Sequence, residues 1–207
     1  LITEGDFAAG IRTIKERNAL PAVCGRVCPQ EEQCEVACIL AKKGTPVAIG
    51  HLERYVADWE RTQPKAVQAK ITRKERVAVI GAGPSGLVCA GELARLGYGV
   101  TIYEALHAPG GVLRYGIPSF RLPREIIDRE VQRLRDMGVK IETNKVIGKT
   151  FSVPQLMGEM GFDAVFLGVG AGAFGCLHRG EEAVRWGNHR QVDRWFAEVE
   201  AGRLPTA

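Results

Sequence analysis

The stretch Arg76-Val-Ala-Val-Ile-Gly-Ala-Gly-Pro-Ser-Gly86, with its continuation to Thr101-Ile-Tyr-Glu104, decides the fold. Arg76 to Ile80 reads as a short buried strand. Gly81, Gly83 and Gly86 make a G-x-G-x-x-G turn. Ser85 to Leu96 reads as a helix, and Val100 to Tyr103 as a second parallel strand ending on Glu104. Each position has a physical task. Gly81 allows a sharp turn out of the strand. Gly83, with no side chain, lets a pyrophosphate approach the backbone beside Pro84 and Ser85. Gly86 lets the helix pack close on the strand, and Ala90 adds a further small residue at that contact. The helix start offers free N–H groups and a positive dipole end to phosphates. A G-x-G-x-x-G alone is weak, because glycine-rich turns are common. Here the strand, the helix and the acid at the second strand end accompany it, which points to a dinucleotide site rather than a plain strand-turn-helix. A carboxylate at Glu104 suits free ribose hydroxyls, as in FAD or NAD, and repels a 2′-phosphate.

Working outward, the 207 residues are enough for one sizeable core, or one domain with a smaller companion. The 45% hydrophobic and 25% charged fractions fit a soluble globular protein. The net charge of +4 is mild and its basic residues are scattered, so nucleic acid is not implied. No apolar run approaches a membrane span and no signal peptide is visible, so a cytoplasmic location is expected. The chain opens on Leu1 rather than Met, and a further N-terminal piece is expected.

Of six cysteines, four crowd together as Cys24, Cys28, Cys34 and Cys38. Without a secretion signal this reads as a metal or cluster site in a reducing compartment rather than a disulfide framework. The spacing is C-x3-C-x5-C-x3-C. Structural zinc favours C-x2-C knuckles, which are absent. Iron–sulfur clusters accept more varied spacing, often with a proline after a ligand, as in Cys28-Pro29. Four buried thiols are the plain alternative.

The expected architecture is α/β. A small all-α module occupies residues 1–62 and a polar linker residues 63–75. A Rossmann-like domain with a parallel sheet follows at 76–175, then a divergent, helical segment at 176–207. In the first module, residues 6–17 read as a helix capped by Asp6, with Phe7, Ile11 and Ile14 on one face. Asn18 and Pro21 end it. Residues 47–61 form an amphipathic helix with Ile49, Leu52, Val56 and Trp59 in register. Glu53 sits near its apolar side, where spacing alone favours a solvated charge. In the second domain Pro123 opens a helix to Met137, capped by Gly138. A strand follows over Val139–Glu142, a short helix over Pro154–Met160, and an apolar strand from Phe162 into Gly168 and Gly170. Those two glycines suit either a nearby pyrophosphate or tight strand packing. Residues 192–199 make a helix with one apolar face. His178 and His189 have no metal partners at recognisable spacing.

Two further runs are distinctive. Residues 20–60 include Cys24-Gly-Arg-Val-Cys-Pro-Gln-Glu31 and Pro46-Val-Ala-Ile-Gly-His-Leu-Glu-Arg-Tyr55. Residues 110–123 read Gly-Gly-Val-Leu-Arg-Tyr-Gly-Ile-Pro-Ser-Phe-Arg-Leu-Pro. With the nucleotide turn, they resemble the glutamate synthase small-subunit family over about residues 6–173. That family is related to dihydropyrimidine dehydrogenase and to the large subunit of ferredoxin:NADP transhydrogenases, and the wording leans toward the latter branch.

The resemblance implies FAD in the Gly81–Glu104 site. Gly111 and Gly170 would lie near the cofactor, and Leu113 to Pro118 would run along the isoalloxazine. Arg114 is expected either to bond a phosphate or ring oxygen or to be a surface arginine. The resemblance also implies two 4Fe-4S clusters in the helical domain, with Cys28 and Cys34 on one and Cys38 on the other. Cys24 is implied not to be a ligand. Glu53 corresponds to an unusual non-cysteine ligand of the cluster shared by Cys28 and Cys34. The implied activity is electron transfer: NAD(P)H gives hydride to the flavin, and electrons pass singly through the clusters to a large subunit or other acceptor protein. No acid–base catalytic residue is implied.

The chain departs from the family pattern at both ends. The family's upstream C-x2-C-x4-C-x3-C stretch is absent, so neither cluster is expected to be complete and the cysteine module is expected to be poorly ordered. From about Phe174 the family's second, NAD(P)H-binding Rossmann domain does not follow. The segment 176–207 faintly resembles the family's C-terminal helix that returns to the flavin domain. An incomplete family member is therefore the expectation. The alternatives are a non-catalytic FAD-binding or electron-relay module that needs a partner chain, and a zinc-binding scaffold with a degenerate nucleotide site.

Overall fold

The computed structural model describes residues 1–63 and 71–170. Most of the expected linker core and everything beyond Gly170, including residues 192–199, His178 and His189, lie outside the described residues. The first unit is helical. Helix α1 (Phe7–Lys15) starts where Asp6 accepts the Ala9 N–H at 2.9 Å, the cap the sequence predicts. Helix α2 (Pro21–Val27) is not among the predicted helices. Pro21 reads as a stop for α1, but it occupies the first turn of α2, where its missing N–H costs nothing. Two short 3-10 turns follow, at Gln30–Glu32 and Ile39–Lys42, and then helix α3 (Ile49–Glu60).

These helices are drawn together by apolar and charged contacts. Phe7 meets Tyr55 and Trp59 edge-on, with ring centroids 5.2 and 5.7 Å apart. Val56 is fully buried. Lys15 pairs with Glu60 at 2.5 Å, and Arg26 with Asp58 at 2.7 Å. A Cβ at Gly25 would fall 2.8 Å from the Arg54 backbone nitrogen, so only glycine permits this approach of α2 to α3.

The second unit is a parallel sheet. Strand β1 (Arg76–Ile80), helix α4 (Pro84–Arg95) and strand β2 (Gly99–Tyr103) form the first β-α-β unit. A single helical turn α5 (Val112–Tyr115), helix α6 (Arg124–Asp136), strand β3 (Lys140–Glu142), helix α7 (Val153–Gly158) and strand β4 (Ala164–Leu167) complete it. The predicted elements stand with ends moved by a residue or two. The exceptions are β4, which is shorter than the apolar run from Phe162, and α5, for which the sequence predicts no helix. Ser152 starts α7 with a reciprocal capping box to Gln155.

The strand order is β3-β2-β1-β4, all parallel, with Ile80 opposite both Tyr103 and Leu167. Central β1 is buried on both faces, which explains its unbroken apolar run. Its alternation splits the core. Val77 and Val79 face α4 and α6 with Leu87, Ile102 and Leu134. Ala78 and Ile80 join Tyr103, Leu156 and Phe162 on the other side. The first of these clusters continues without interruption into Ile11, Val23 and Val56 of the helical unit. Helices α1 to α3 thus share their apolar core with the sheet, whereas Cys34 and Cys38 lie on a segment whose Val36, Ile39 and Leu40 are exposed.

Candidate functional site

The glycine turn lies at the ends of β1 and β2, where an open parallel sheet presents its crevice. Gly81 has φ +99°, and a Cβ there would overlap the Gly168 carbonyl. Gly86 is buried, and a Cβ on it would overlap the Gly81 carbonyl. Both glycines are therefore required by the protein's own packing. Gly83 differs: among the described residues nothing lies within 4 Å of the position of its absent Cβ. Gly170, with φ +72°, likewise has no described residue within 4 Å of that position. Gly168 packs on the Gly86 backbone, so tight packing accounts for it.

The loop is held from three sides. Buried Glu104 accepts the Ala82 N–H at 2.7 Å and the Leu106 N–H at 2.9 Å. The Gly110 N–H donates to the Ala82 carbonyl at 2.8 Å. A Cβ on Gly111 (φ +50°) would come within 2.8 Å of Gly83 Cα. Gly81, Gly83, Pro84, Ser85, Gly86, Glu104 and Gly111 thus sit together around one corner, with Ser85 exposed. Each oxygen of Glu104 takes one backbone donor, leaving acceptor capacity for hydroxyls. Arg114 donates through Nε to the Pro109 carbonyl at 2.7 Å and pairs with Asp128 of α6. Its bonds are internal, which the sequence left open.

These residues fit a dinucleotide pyrophosphate. The open side of Gly83 is a space that any side chain would fill and that no described residue occupies. FAD bound here would supply hydride and single-electron chemistry. The chain's own part is to offer the N–H groups at the start of α4 to phosphate and the Glu104 carboxylate to ribose.

The cysteines present a different picture. Cys24, Cys28, Cys34 and Cys38 are free thiols. Among the described residues no three His, Cys, Asp or Glu side chains converge as a metal site. The Cys28 thiol lies 3.8 Å from Gln33 Oε1 and the Cys34 thiol 3.9 Å from the Gln30 carbonyl. The Cys38 thiol is pulled below its ordinary range by backbone N–H groups, that of Val47 most and those of Leu40 and Ala41 after it. Glu53 is bound by other residues: Asn18 Nδ2 donates to it at 2.6 Å and Gln30 Nε2 at 3.5 Å. Burial raises its pKa, and those two hydrogen bonds oppose the rise. Asn18 also takes the Leu20 N–H and the Cys24 thiol, and Gln30 donates to the Cys24 carbonyl. Burial raises the Cys24 thiol as well, against the Asn18 bond. Asn18 and Gln30 were missed because nothing in their spacing marks them.

The cysteine segment nonetheless lies beside the nucleotide half. Arg121 donates to the Val27 carbonyl at 3.1 Å. A cleft of about 550 Å³ opens there between Val27, Pro29 and Glu32 on one side and Ile117, Pro118 and Arg121 on the other.

Comparison with known families bears on both halves. Residues 37–173 match the pyridine nucleotide-disulphide oxidoreductase family. The chain belongs to that family. Residues 1–65 match the dihydropyrimidine dehydrogenase domain II, 4Fe-4S cluster family, so the helical unit is similar to a domain of that type. The chain is 44% identical over 169 residues to the NAD-dependent dihydropyrimidine dehydrogenase subunit PreT of Escherichia coli O157:H7, covering 81% of this chain and 41% of that protein. It is 38% identical over 176 residues to the glutamate synthase [NADPH] small chain of Escherichia coli K12, covering 82% and 36%. The NADP(+)-dependent formate dehydrogenase subunit beta of Moorella thermoacetica is 34% identical over 99% of this chain and 32% of its own length. The chain thus spans about two fifths or less of these relatives. All three are named as subunits or chains of larger enzymes. Among the described residues no helix is long and apolar enough to cross a membrane.

Proposed function

We propose that this chain is the flavin-binding, electron-transferring part of an NAD(P)H-dependent FAD/iron–sulfur oxidoreductase subunit of the glutamate synthase small-subunit type. The observation that carries the reading is the unfilled face of Gly83 in a loop whose other glycines are filled by protein. The family match over residues 37–173 supports the same cofactor class. Gly81 to Gly86 and Gly111 bind the pyrophosphate, Glu104 the ribose, and Gly170 borders the open side. The partner is a large subunit or another electron-acceptor protein, in keeping with relatives named as subunits. The location is cytoplasmic, which suits five described cysteines that are free thiols. The proposed domain division is a helical unit over residues 1–62 and a flavin domain that begins at residue 76. In the complete subunit, Cys28, Cys34, Cys38 and Glu53 serve iron. Because the described donors do not converge, no electron step is assigned to them here.

A second reading has its own support: with no converged metal site among the described residues, the chain serves as a FAD-binding or relay module completed by a partner. Dye reduction by the flavin-loaded chain with NADH or NADPH separates the two. Steady turnover is expected if the chain carries the subunit's activity and rejects the module reading. Flavin retention with no turnover above free FAD rejects independent activity.

A further inference from the structure

The corner Pro109–Gly111 is the seam between the glycine loop and α6. On one side Gly110 holds the Ala82 carbonyl and Gly111 lies on Gly83. On the other, a Cβ at Gly110 would meet Arg114 Cβ and Ile127 Cγ2, each at 3.0 Å. Arg114 spans this seam. Its side chain is only 16% exposed, and its guanidinium joins the Pro109 carbonyl to Asp128. Asp128 is 60% exposed and stands on α6, beyond the corner.

We infer that Arg114 is a positioning residue: tethered between the Pro109 carbonyl and Asp128, it holds the Gly110–Gly111 corner against Ala82 and Gly83 and so sets the width of the phosphate cradle. A planar guanidinium suits this task, because two of its N–H groups point at two acceptors from one rigid fork. An ammonium offers no fixed pair of directions. Both residues of the corner have positive φ, +128° and +50°, which glycine adopts freely, so their neighbours hold the corner in place. The inference rests on the flavin reading and extends it to Arg114 and Asp128.

The test is FAD titration of the flavin-free chain, read by quenching of flavin fluorescence, for wild type, Asp128→Asn, Asp128→Glu and Arg114→Lys. Melting of each flavin-free form is followed by circular dichroism. Asp128→Asn is expected to weaken FAD binding several-fold and Arg114→Lys about tenfold, the scale of a lost charge-assisted hydrogen bond. Asp128→Glu is expected to keep wild-type affinity. Melting of the Asp128 variants is expected to change little, because Asp128 is 60% exposed and an ion pair with an exposed partner contributes little stability. If the guanidinium instead contacts FAD directly, Asp128 competes for it. Asp128→Asn then binds FAD as tightly as wild type or more tightly, which overturns the inference while wild-type binding still upholds the flavin reading. Failure of wild type to bind FAD overturns both.

Discussion

Gly83 and Gly86 stand three positions apart in one turn, yet a methyl group meets different surroundings at each. At Gly86 a Cβ would overlap the Gly81 carbonyl, so Gly86→Ala must push α4 away from β1. Overpacking of this kind costs about 1–3 kcal/mol or more. At Gly83 the same methyl enters open space, and φ is −75°, which any residue adopts. Gly83→Ala is therefore expected to melt close to wild type and to lose most of its FAD affinity. Gly86→Ala is expected to melt well below wild type. Thermal melts of both proteins with and without FAD check the contrast. Loss of stability in Gly83→Ala with FAD binding intact would show that Gly83 serves the fold and not a ligand.

At the scale of elements, two carboxylates on α3 pull stability in opposite directions with pH. Burial raises the Asp58 carboxyl, but hydrogen bonds from Arg26 and Arg61 outweigh it, and its pKa lies below the ordinary value. Its stabilisation is present above about pH 4 and is lost as pH falls through the depressed value. Melting temperatures of wild type minus Asp58→Asn should be positive near neutrality and shrink on acidification. Glu53 has the opposite sign, because its folded pKa is raised. Its ionised form costs stability at neutral pH, and the cost vanishes as pH falls through the raised value toward about pH 4. Glu53→Gln keeps an acceptor for Asn18 and should melt at or above wild type near neutrality, with the difference fading in acid. A Glu53→Gln protein that melts much lower at pH 7 would contradict this.

The same elements show what could be read in advance. The abrupt change from Val-Ala-Val-Ile to glycine exposed β1, α4 and β2, because a strand buried on both faces has little choice of residue. Helix α2 stayed hidden because Pro21 signals a helix end and a helix start alike. Helix α5 is too short to show a period. The partners of Glu53 are 35 and 23 residues away in the chain, and no local pattern links them. Asp128 was likewise invisible as the partner of Arg114. The neighbours of the thiols, Gln33 Oε1 beside Cys28 and the Gln30 carbonyl beside Cys34, were also not marked by the cysteine spacing.

At the scale of the molecule, one apolar core runs from Ile11 and Val56 through α6 to the sheet. Arg121, bonded to Val27, adds a polar tie across the same junction. The cysteine segment is thus held next to the loop that follows Gly111. The central claim is that the Gly81–Glu104 loop holds FAD. Its most direct test is the flavin content of the chain purified under mild conditions, with the released chromophore identified by chromatography and the stripped chain titrated with FAD. The prediction is tight binding of about one FAD per chain that Gly83→Ala abolishes. A colourless chain that leaves added FAD fluorescence unchanged would contradict it.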